Sequence, residues 1–106
     1  MVTIEDFKKL ELVIAQIKEV KEHPNADRLY VLKVDTGTGE LQIVAGIKLK
    51  YGKEELVGRR VVVVKNLAPA VIRGEESQGM LLAASDTDGV SVISPDREVA
   101  LGSVVK

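Results

Sequence analysis

The sequence contains no cysteine, no tryptophan and only one histidine, His23. Without cysteine the chain cannot form disulfides, iron–sulfur clusters or thiolate zinc sites. A single imidazole is too few for a multi-histidine metal site. Aliphatic runs such as residues 61–64 are far shorter than the roughly 20 residues of a membrane-spanning helix, and charges within residues 5–9 interrupt any apolar core of a signal peptide. We therefore expect a soluble, cytoplasmic protein that uses no metal or other cofactor.

Aromatic side chains are also scarce, since Phe7, Tyr30 and Tyr51 are the only three. A surface that stacks several single-stranded bases is therefore poorly supplied. Positive charge is unevenly distributed: residues 1–74 contain 13 Lys/Arg against 10 Asp/Glu, whereas residues 75–106 contain 2 against 6. A uniformly basic surface is absent, so any site for a polyanion must be a local patch.

The length and composition predict one folded domain. The chain has 106 residues, of which 45% are hydrophobic and 29% charged, so we assign residues 1–106 to a single domain. Thr3 precedes two acids and predicts a capped short helix over residues 4–9; a second helical turn is predicted at residues 51–58, which end in glycine. Alternating or continuous aliphatic and β-branched residues predict strands at residues 10–20, 29–34, 41–44, 60–65, 71–74, 80–84, 90–93 and 101–105.

Two features of these strands favour a closed barrel. The apolar alternation slips by one residue around Ala15 and Gln16, which indicates a β-bulge that bends the first strand. Four consecutive valines at residues 61–64 suit a strand buried on both faces. Short apolar strands leave open sheet edges unless the sheet closes on itself. We therefore predict an all-β fold with short helices, the oligonucleotide/oligosaccharide-binding (OB) barrel, with a C-terminal extension.

Residues 66–80 form a polar, glycine-punctuated segment between two apolar stretches. We predict that strands 71–74 and 80–84 pair across residues 75–79. Arg73 offers the fixed N–H donors of its guanidinium to a phosphate, and the glycines of the segment let the backbone approach a ligand. The segment is therefore either a binding loop or a loop that caps the barrel.

No set of residues in the sequence points to catalysis or to a metal site. Ser77 follows two glutamates but has no basic partner that would activate its hydroxyl. Asp86 and Asp88 flank a turn but lack the further oxygen ligands of a calcium loop. His23 precedes Pro24 and fits a turn histidine that bonds to backbone groups. We expect a chain with no catalytic residue and no metal ligand.

Several runs of residues resemble the motifs of the tRNA-binding domain family. The first occupies residues 23–35 and begins His-Pro-Asn-Ala-Asp-Arg, and the start of the chain at residues 6–10 resembles the first helix of that family. Further runs match in order and spacing at residues 42–47, 54–58 and 66–80, the last of which contains Glu-Ser-Gln-Gly-Met. The resemblance covers nearly the whole chain. It is closest in type to the C-terminal domain or β subunit of methionyl-tRNA synthetase, with freestanding tRNA-binding proteins as siblings.

The resemblance implies binding of tRNA by shape, without readout of base sequence, which agrees with the scarcity of aromatic side chains. The residues that match the family's binding loop, and that we predict to contact tRNA, are Asn66, Arg73, Ser77, Gln78 and Met80. We also predict contacts from Lys33, Gln42 and Lys65, on strands expected to line the same groove, and from Arg28, where the family commonly has lysine. The family usually dimerises, and the apolar residues near both chain ends form either a homodimer interface or plugs of the barrel ends. The predicted interface residues are Ile4, Phe7, Leu10, Val92, Ile93, Leu101, Val104 and Val105.

The sequence departs from the family where relatives often carry a cation or a serine, at Val13, Gln16, Ala45, Ala68 and Val71. Each lost cation removes a phosphate contact, so we expect weak tRNA binding by one subunit. Weak sites become useful when dimerisation or attachment to a catalytic module multiplies them.

The expected function is thus that of a dimer-forming tRNA-binding module of methionyl-tRNA synthetase. We expect the module to be non-catalytic because no ATP-binding signature is present. The synthetase would act as its partner in the same chain or as a separate subunit, and the termini at Met1 and Lys106 fit either arrangement. Two alternatives are a freestanding tRNA chaperone and a protein-binding, chaperone-like dimer with little affinity for RNA.

Overall fold

The computed structural model describes all residues, 1–106, and most of its ordered backbone is β-strand. Two one-turn helices lie among nine strands. The elements in chain order are α1 (Ile4–Phe7), β1 (Leu12–Glu22), β2 (Tyr30–Asp35), β3 (Glu40–Ala45), α2 (Lys53–Leu56), β4 (Arg60–Val64), β5 (Ala70–Ile72), β6 (Glu75–Ser77), β7 (Met80–Leu81), β8 (Ala83–Asp86) and β9 (Gly89–Val92). Neither helix is long enough or apolar enough to cross a lipid bilayer.

Five antiparallel strands in the order β3-β2-β1-β4-β7 form a nearly closed barrel. The two edge strands of this sheet meet beside Gln42 and Gln78. The Gln78 amide donates to the Gln42 carbonyl at 2.7 Å, and the Gln42 amide donates to the side-chain oxygen of Gln78 at 2.7 Å. These two bonds join β3 to the residues just before β7 and so bridge the gap between the two edges at this point, which shortens the open edge. The predicted OB-like barrel is confirmed.

The four valines of β4 are buried on both faces of the strand, as predicted. Val61 and Val63 point into the barrel interior with the main core, whereas Val62 and Val64 pack outside it against Leu12 and the rest of a second cluster. The C-terminal segment covers this second cluster with Leu101 and other apolar side chains. Each buried valine contributes about 1.5–3 kcal/mol. The second cluster therefore fastens the C-terminal extension to the barrel.

The β-bulge in β1 lies two residues beyond its predicted place. The register with β2 shifts between Ile17 and Glu19, so Lys18 is the extra residue. Gln16, where we expected the slip, keeps regular partners on both sides, Asp35 on β2 and Arg60 on β4. The start of β1 is buried on both faces, so its apolar pattern does not mark the inward side. Only the exposed Lys18 absorbs the change of register.

The pairing predicted for residues 71–84 is wrong. β5 pairs with β6 in a tight hairpin, and its turn consists of Arg73 and Gly74, both with positive φ (53° and 93°). β7 pairs instead with β4, opposite Val63 and Val64. β8 pairs with β9 around the turn predicted at residues 86–89. The local hairpin is favoured because its partners are only a few residues apart along the chain.

Both ends of the chain are less regular than predicted. The Thr3 hydroxyl accepts from the Asp6 amide and forms the expected capping box, but α1 ends at Phe7 and not at residue 9. The predicted strand at residues 101–105 reduces to a single bridge between Val13 and Val104. Three backbone hydrogen bonds still join the segment to β1: the Gly102 and Val105 amides donate to the Ile14 and Leu12 carbonyls at 2.8 Å, and the Ile14 amide donates to the Ser103 carbonyl at 2.9 Å. These bonds and the apolar side chains on the second cluster hold the segment together.

Candidate nucleic-acid interface

Two connections of the barrel meet at one rim. We call residues 23–29, between β1 and β2, the rim loop, and residues 65–79, between β4 and β7, the connector. His23 joins them and is only 5% exposed. Its Nδ1 accepts from the Asn25 amide at 2.9 Å, so Nε2 carries the proton and donates to the Ile72 carbonyl at 2.9 Å. The interpretation of His23 as a turn histidine that bonds to backbone groups is confirmed.

A cleft of about 480 Å³ lies between the rim loop and the connector hairpin. Arg28 and Arg73 line it from its two walls, and Asp27 is the only acid in its lining. The Asn25 side chain donates to the Arg73 carbonyl at 3.3 Å, which holds the strained turn residue in place. The Arg73 guanidinium in turn donates to the Asn25 carbonyl at 3.5 Å. Two arginines thus line a concave site that contains one carboxylate, an arrangement suited to an anion.

The pattern of ion pairs distinguishes the cleft from most of the surface. Seven of the 15 lysines and arginines pair with an acid: Lys8, Lys9, Lys21, Lys48, Lys53, Arg60 and Lys65. Arg28 and Arg73 are among those without an acidic partner. Their charge is therefore available to an external anion, and binding one requires no internal ion pair to break.

Lys33 and Gln42 lie side by side on the outer face of the sheet. Lys33 is opposite Gln42 on β3 and opposite Glu19 on β1. Its neighbours Leu32 and Val34 are fully buried inside the barrel, so the Lys33 side chain points outward. Glu19 pairs with Lys21 at 3.2 Å and not with Lys33. Lys33 therefore adds an unpaired cation to the β2–β3 face.

Four predicted tRNA contacts bond to the chain's own backbone. The Ser77 hydroxyl accepts from the Val44 amide and donates to the Gly79 carbonyl, each at 3.0 Å. The Gln42 side chain donates to the Glu76 carbonyl at 2.9 Å, and Gln78 closes the barrel as described. The Asn66 side chain accepts from the Glu11 amide and donates to the Lys9 carbonyl, both at 2.8 Å. These groups hold the connector against β3 and β1, and their contact with RNA stays a prediction.

The other predicted contacts divide between different places. Lys65, at the start of the connector, pairs with Glu11 at 3.8 Å. Met80 is half exposed on β7, opposite Val64. The structure therefore brings Arg28 and Arg73 into one cleft, but Lys65 and Asn66 lie where the connector begins.

A cluster of charges below the rim loop was not found by sequence reasoning. Lys48 Nζ contacts Glu22 Oε1 at 2.5 Å, and Lys53 Nζ lies 3.6 Å from the other Glu22 oxygen. The hydrogen bond from Lys48, and then the charges of both lysines, lower the pKa of Glu22. The same hydrogen bond raises the pKa of Lys48. The three residues come from separate elements, and no local sequence signal links them.

Most of the predicted interface residues form an exposed apolar groove. Ile4, Phe7 and Leu10 face Val104 and Val105 across a groove of about 340 Å³. Val104 is 70% exposed and leaves apolar surface in contact with water.

The remaining predicted interface residues lie elsewhere. Ile93 is 41% exposed outside the groove, and Leu101 packs on the second cluster. Val92 departs from the prediction: it is 7% exposed and belongs to the main core, because β9 folds back over the barrel end.

The position of the cleft agrees with the general use of the fold. OB barrels bind their ligands on the face of the second and third strands and between the loops that follow the first and fourth strands. Here those elements are β2, β3, the rim loop and the connector, and they carry the unpaired Lys33, Arg28 and Arg73. The fold and the site define an OB-fold binding domain with a cationic cleft.

Comparison with known proteins identifies the family. The profile described as "Putative tRNA binding domain" matches residues 12–104, and the chain belongs to that family. Methionine–tRNA ligase from Pyrococcus furiosus is 55% identical over 106 residues, which cover 99% of this chain and 14% of the ligase. The ligase from Thermococcus onnurineus is 51% identical over 105 residues, with the same coverage. The chain spans about 14% of the length of these ligases. The sequence resemblance is confirmed.

Solved structures share the whole fold. A methionyl-tRNA synthetase-related protein from Pyrococcus horikoshii superposes with a TM-score of 0.92 and 34% identity, covering 100% of this chain and 98% of that one. The chaperone CsaA from Picrophilus torridus has a TM-score of 0.93 and 31% identity, with complete coverage of both chains. The same fold therefore occurs in proteins described by two different functions.

Proposed function

We propose that this chain is an auxiliary, non-catalytic domain that binds folded tRNA without reading its base sequence and supplies it to methionine–tRNA ligase. The observation that carries the proposal is the cleft with two unpaired guanidinium groups between the rim loop and the connector. Membership of the tRNA-binding family and the similarity to about 14% of the length of the ligases support the same assignment.

Arg28 and Arg73 would bind phosphate oxygens of the tRNA backbone. A guanidinium donates two parallel N–H bonds to one phosphate, which fixes orientation as well as charge. Phosphate contacts carry no sequence information. Lys33 on the adjacent sheet face extends the positive surface beyond the cleft. Because this interface has few cations and one opposing carboxylate, we expect modest affinity for a single site.

A dimer would compensate for weak single sites. The groove between Phe7 and Val104 is apolar and exposed, and a two-fold contact would bury the same patch on both subunits. Two clefts on one dimer, or one cleft fused to the ligase, raise the effective tRNA concentration without any new contact. Attachment to the ligase and attachment to a second subunit would thus both compensate for the weak binding of a single site.

Binding to several unrelated tRNAs tests the proposal. Fluorescence anisotropy at low and at moderate salt should give similar dissociation constants for all of them, and each should weaken steeply with salt. A strong preference for one tRNA would contradict binding by shape alone. Absence of binding at low ionic strength would refute the assignment.

The association with the ligase needs a separate experiment. The full chain, tagged and expressed in its source cells, should co-purify with methionine–tRNA ligase if it acts in trans, or be found fused to it. Recovery of tRNA without any synthetase would instead support a freestanding tRNA chaperone.

A protein-binding function is the second candidate, favoured by two observations. The chain superposes completely on a protein described as a chaperone, and it exposes an apolar groove next to α1. A chaperone-like dimer would bind extended apolar peptides with little dependence on salt. Suppression of aggregation of an unfolded test protein, combined with no RNA binding at low salt, would favour this alternative.

A further inference from the structure

A second, smaller recess continues the cleft beyond Arg28. It has a volume of about 190 Å³ and lies between the chain that follows β3 and the β8–β9 turn. Ile47, which is 3% exposed, forms its floor, and Leu49 and Val90 form its walls. Arg28 lines both the cleft and the recess, so the two spaces share one side chain.

Cations flank the recess without internal partners. Neither Arg28 nor Lys50 forms an ion pair. The methylenes of Lys50 lie so close over Gly89 that any Cβ there would collide with them, so the lysine packs against the hairpin turn. Arg28 thus lines both spaces, with Arg73 beside it in the cleft and Lys50 beside it in the recess.

The lining combines apolar walls with cationic edges. Leu49 is 68% exposed, so the upper wall of the recess leaves apolar surface in water. A ligand that suits this recess is small, flat and apolar on its faces, and it carries negative charge at its edge. A nucleobase with its attached phosphate has these properties, because its π face stacks on a guanidinium plane or an aliphatic side chain while the phosphate meets a cation.

We infer that the recess between Arg28 and Lys50 binds one unpaired nucleotide of the RNA, its base held between Leu49 and the Arg28 guanidinium. The inference rests on the proposed function and adds to it the kind of RNA element recognised. A base inside a double helix is stacked on both faces and cannot enter, so the recess selects RNA with an unstacked nucleotide over continuous duplex. The recess has no aromatic side chain and no set of fixed donors for a base edge, so it accepts any base.

Two matched RNA probes test the inference: a blunt-ended duplex, and the same duplex with a short single-stranded 3′ overhang. The wild-type chain should bind the overhang probe about twofold to fivefold more tightly, which is the size of an exposed contact between a guanidinium and a π face. Leu49→Ser removes the apolar wall, and Arg28→Lys keeps the charge but removes the flat guanidinium. Both variants should bind the two probes equally. Val57→Ser, at an exposed valine outside the recess, should keep the preference.

Each outcome has a defined meaning. Equal binding of the two probes by the wild-type chain, or a preference that survives both variants, overturns the inference. The same titration with folded tRNA tests the proposed function separately: salt-dependent binding of tRNA without a preference between the probes refutes the recess alone. Absence of salt-dependent binding to tRNA and to both probes refutes the proposed function and the recess together.

Discussion

Replacing Ser77 by alanine separates a structural role of this hydroxyl from a role in RNA contact. The side chain is 5% exposed, and its Oγ accepts from the Val44 amide and donates to the Gly79 carbonyl, each at 3.0 Å. Alanine removes both bonds and leaves the Val44 amide without its partner. A neutral hydrogen bond contributes about 1 kcal/mol, and leaving a buried donor unsatisfied costs about 1–3 kcal/mol. We therefore expect Ser77→Ala to lower the free energy of unfolding by about 2 kcal/mol.

Equilibrium unfolding in guanidinium chloride, followed by circular dichroism, measures this loss of free energy. In a separate thermal unfolding experiment the melting temperature should fall by about 10 °C, because 1 kcal/mol corresponds to about 4–8 °C in a domain of this size. Ser91→Ala is the matched control, since Ser91 is exposed on β9, and its effect should stay within about 0.5 kcal/mol. A loss below about 0.5 kcal/mol for Ser77→Ala, together with weaker tRNA binding, would refute the structural role and assign the hydroxyl to RNA.

Three further predictions concern a turn, a charge cluster and the apolar groove. Gly37 has φ 87°, and a Cβ there would lie 2.7 Å from the Leu101 carbonyl oxygen. Gly37→Ala should therefore lower the free energy of unfolding, measured by thermal unfolding, by more than about 1 kcal/mol. Gly39→Ala is the control and should be near neutral, because the space around Gly39 is open. Glu22 has a folded-state pKa below the ordinary value of 4.5, so its contribution to stability is present above that pH and disappears as the pH falls through the folded pKa. The stability difference between wild type and Glu22→Gln should therefore shrink on acidification and with added salt, and a pH-independent difference would contradict the ion pair. Val104→Glu places a charge in the groove and should convert a dimer to monomers in sedimentation equilibrium; an unchanged mass would exclude the groove as the interface.

The barrel was predictable because its determinants are local. Period-two alternation and β-branched residues marked β2, β3 and β4 to within about two residues, and four valines in a row indicated a strand covered on both faces. The bulge was misplaced because the same double burial hides the inward side of β1. The pairing of β5 with β6 was missed because the turn at Arg73 requires a positive φ on a residue that sequence patterns do not associate with one.

The site was predicted only in part, and the reason is physical. Residue type suggested Arg73 as a phosphate ligand and the family resemblance added Arg28, but whether a cation is free depends on acids brought near it by the fold. Lys65 pairs with Glu11, which is far away in the sequence and adjacent only because β1 pairs with β4, so no sequence pattern predicts that ion pair. The resemblance predicts ligand contacts for the side chains of Gln42, Asn66 and Ser77, but an amide or a hydroxyl can equally bond to the protein's own backbone. Their backbone partners emerge only once β3 and the connector are adjacent.

The dependence of tRNA affinity on salt, compared between wild type and Arg73→Ala, tests the central claim most directly. Arg97→Ala is the control, because Arg97 is also an arginine without an acidic partner but lies outside the cleft. We predict that Arg73→Ala weakens binding to unrelated tRNAs by a similar factor and reduces the slope of log affinity against log salt by about 1, while Arg97→Ala leaves both nearly unchanged. An Arg73→Ala variant with the affinity and the salt slope of the wild type would contradict the account.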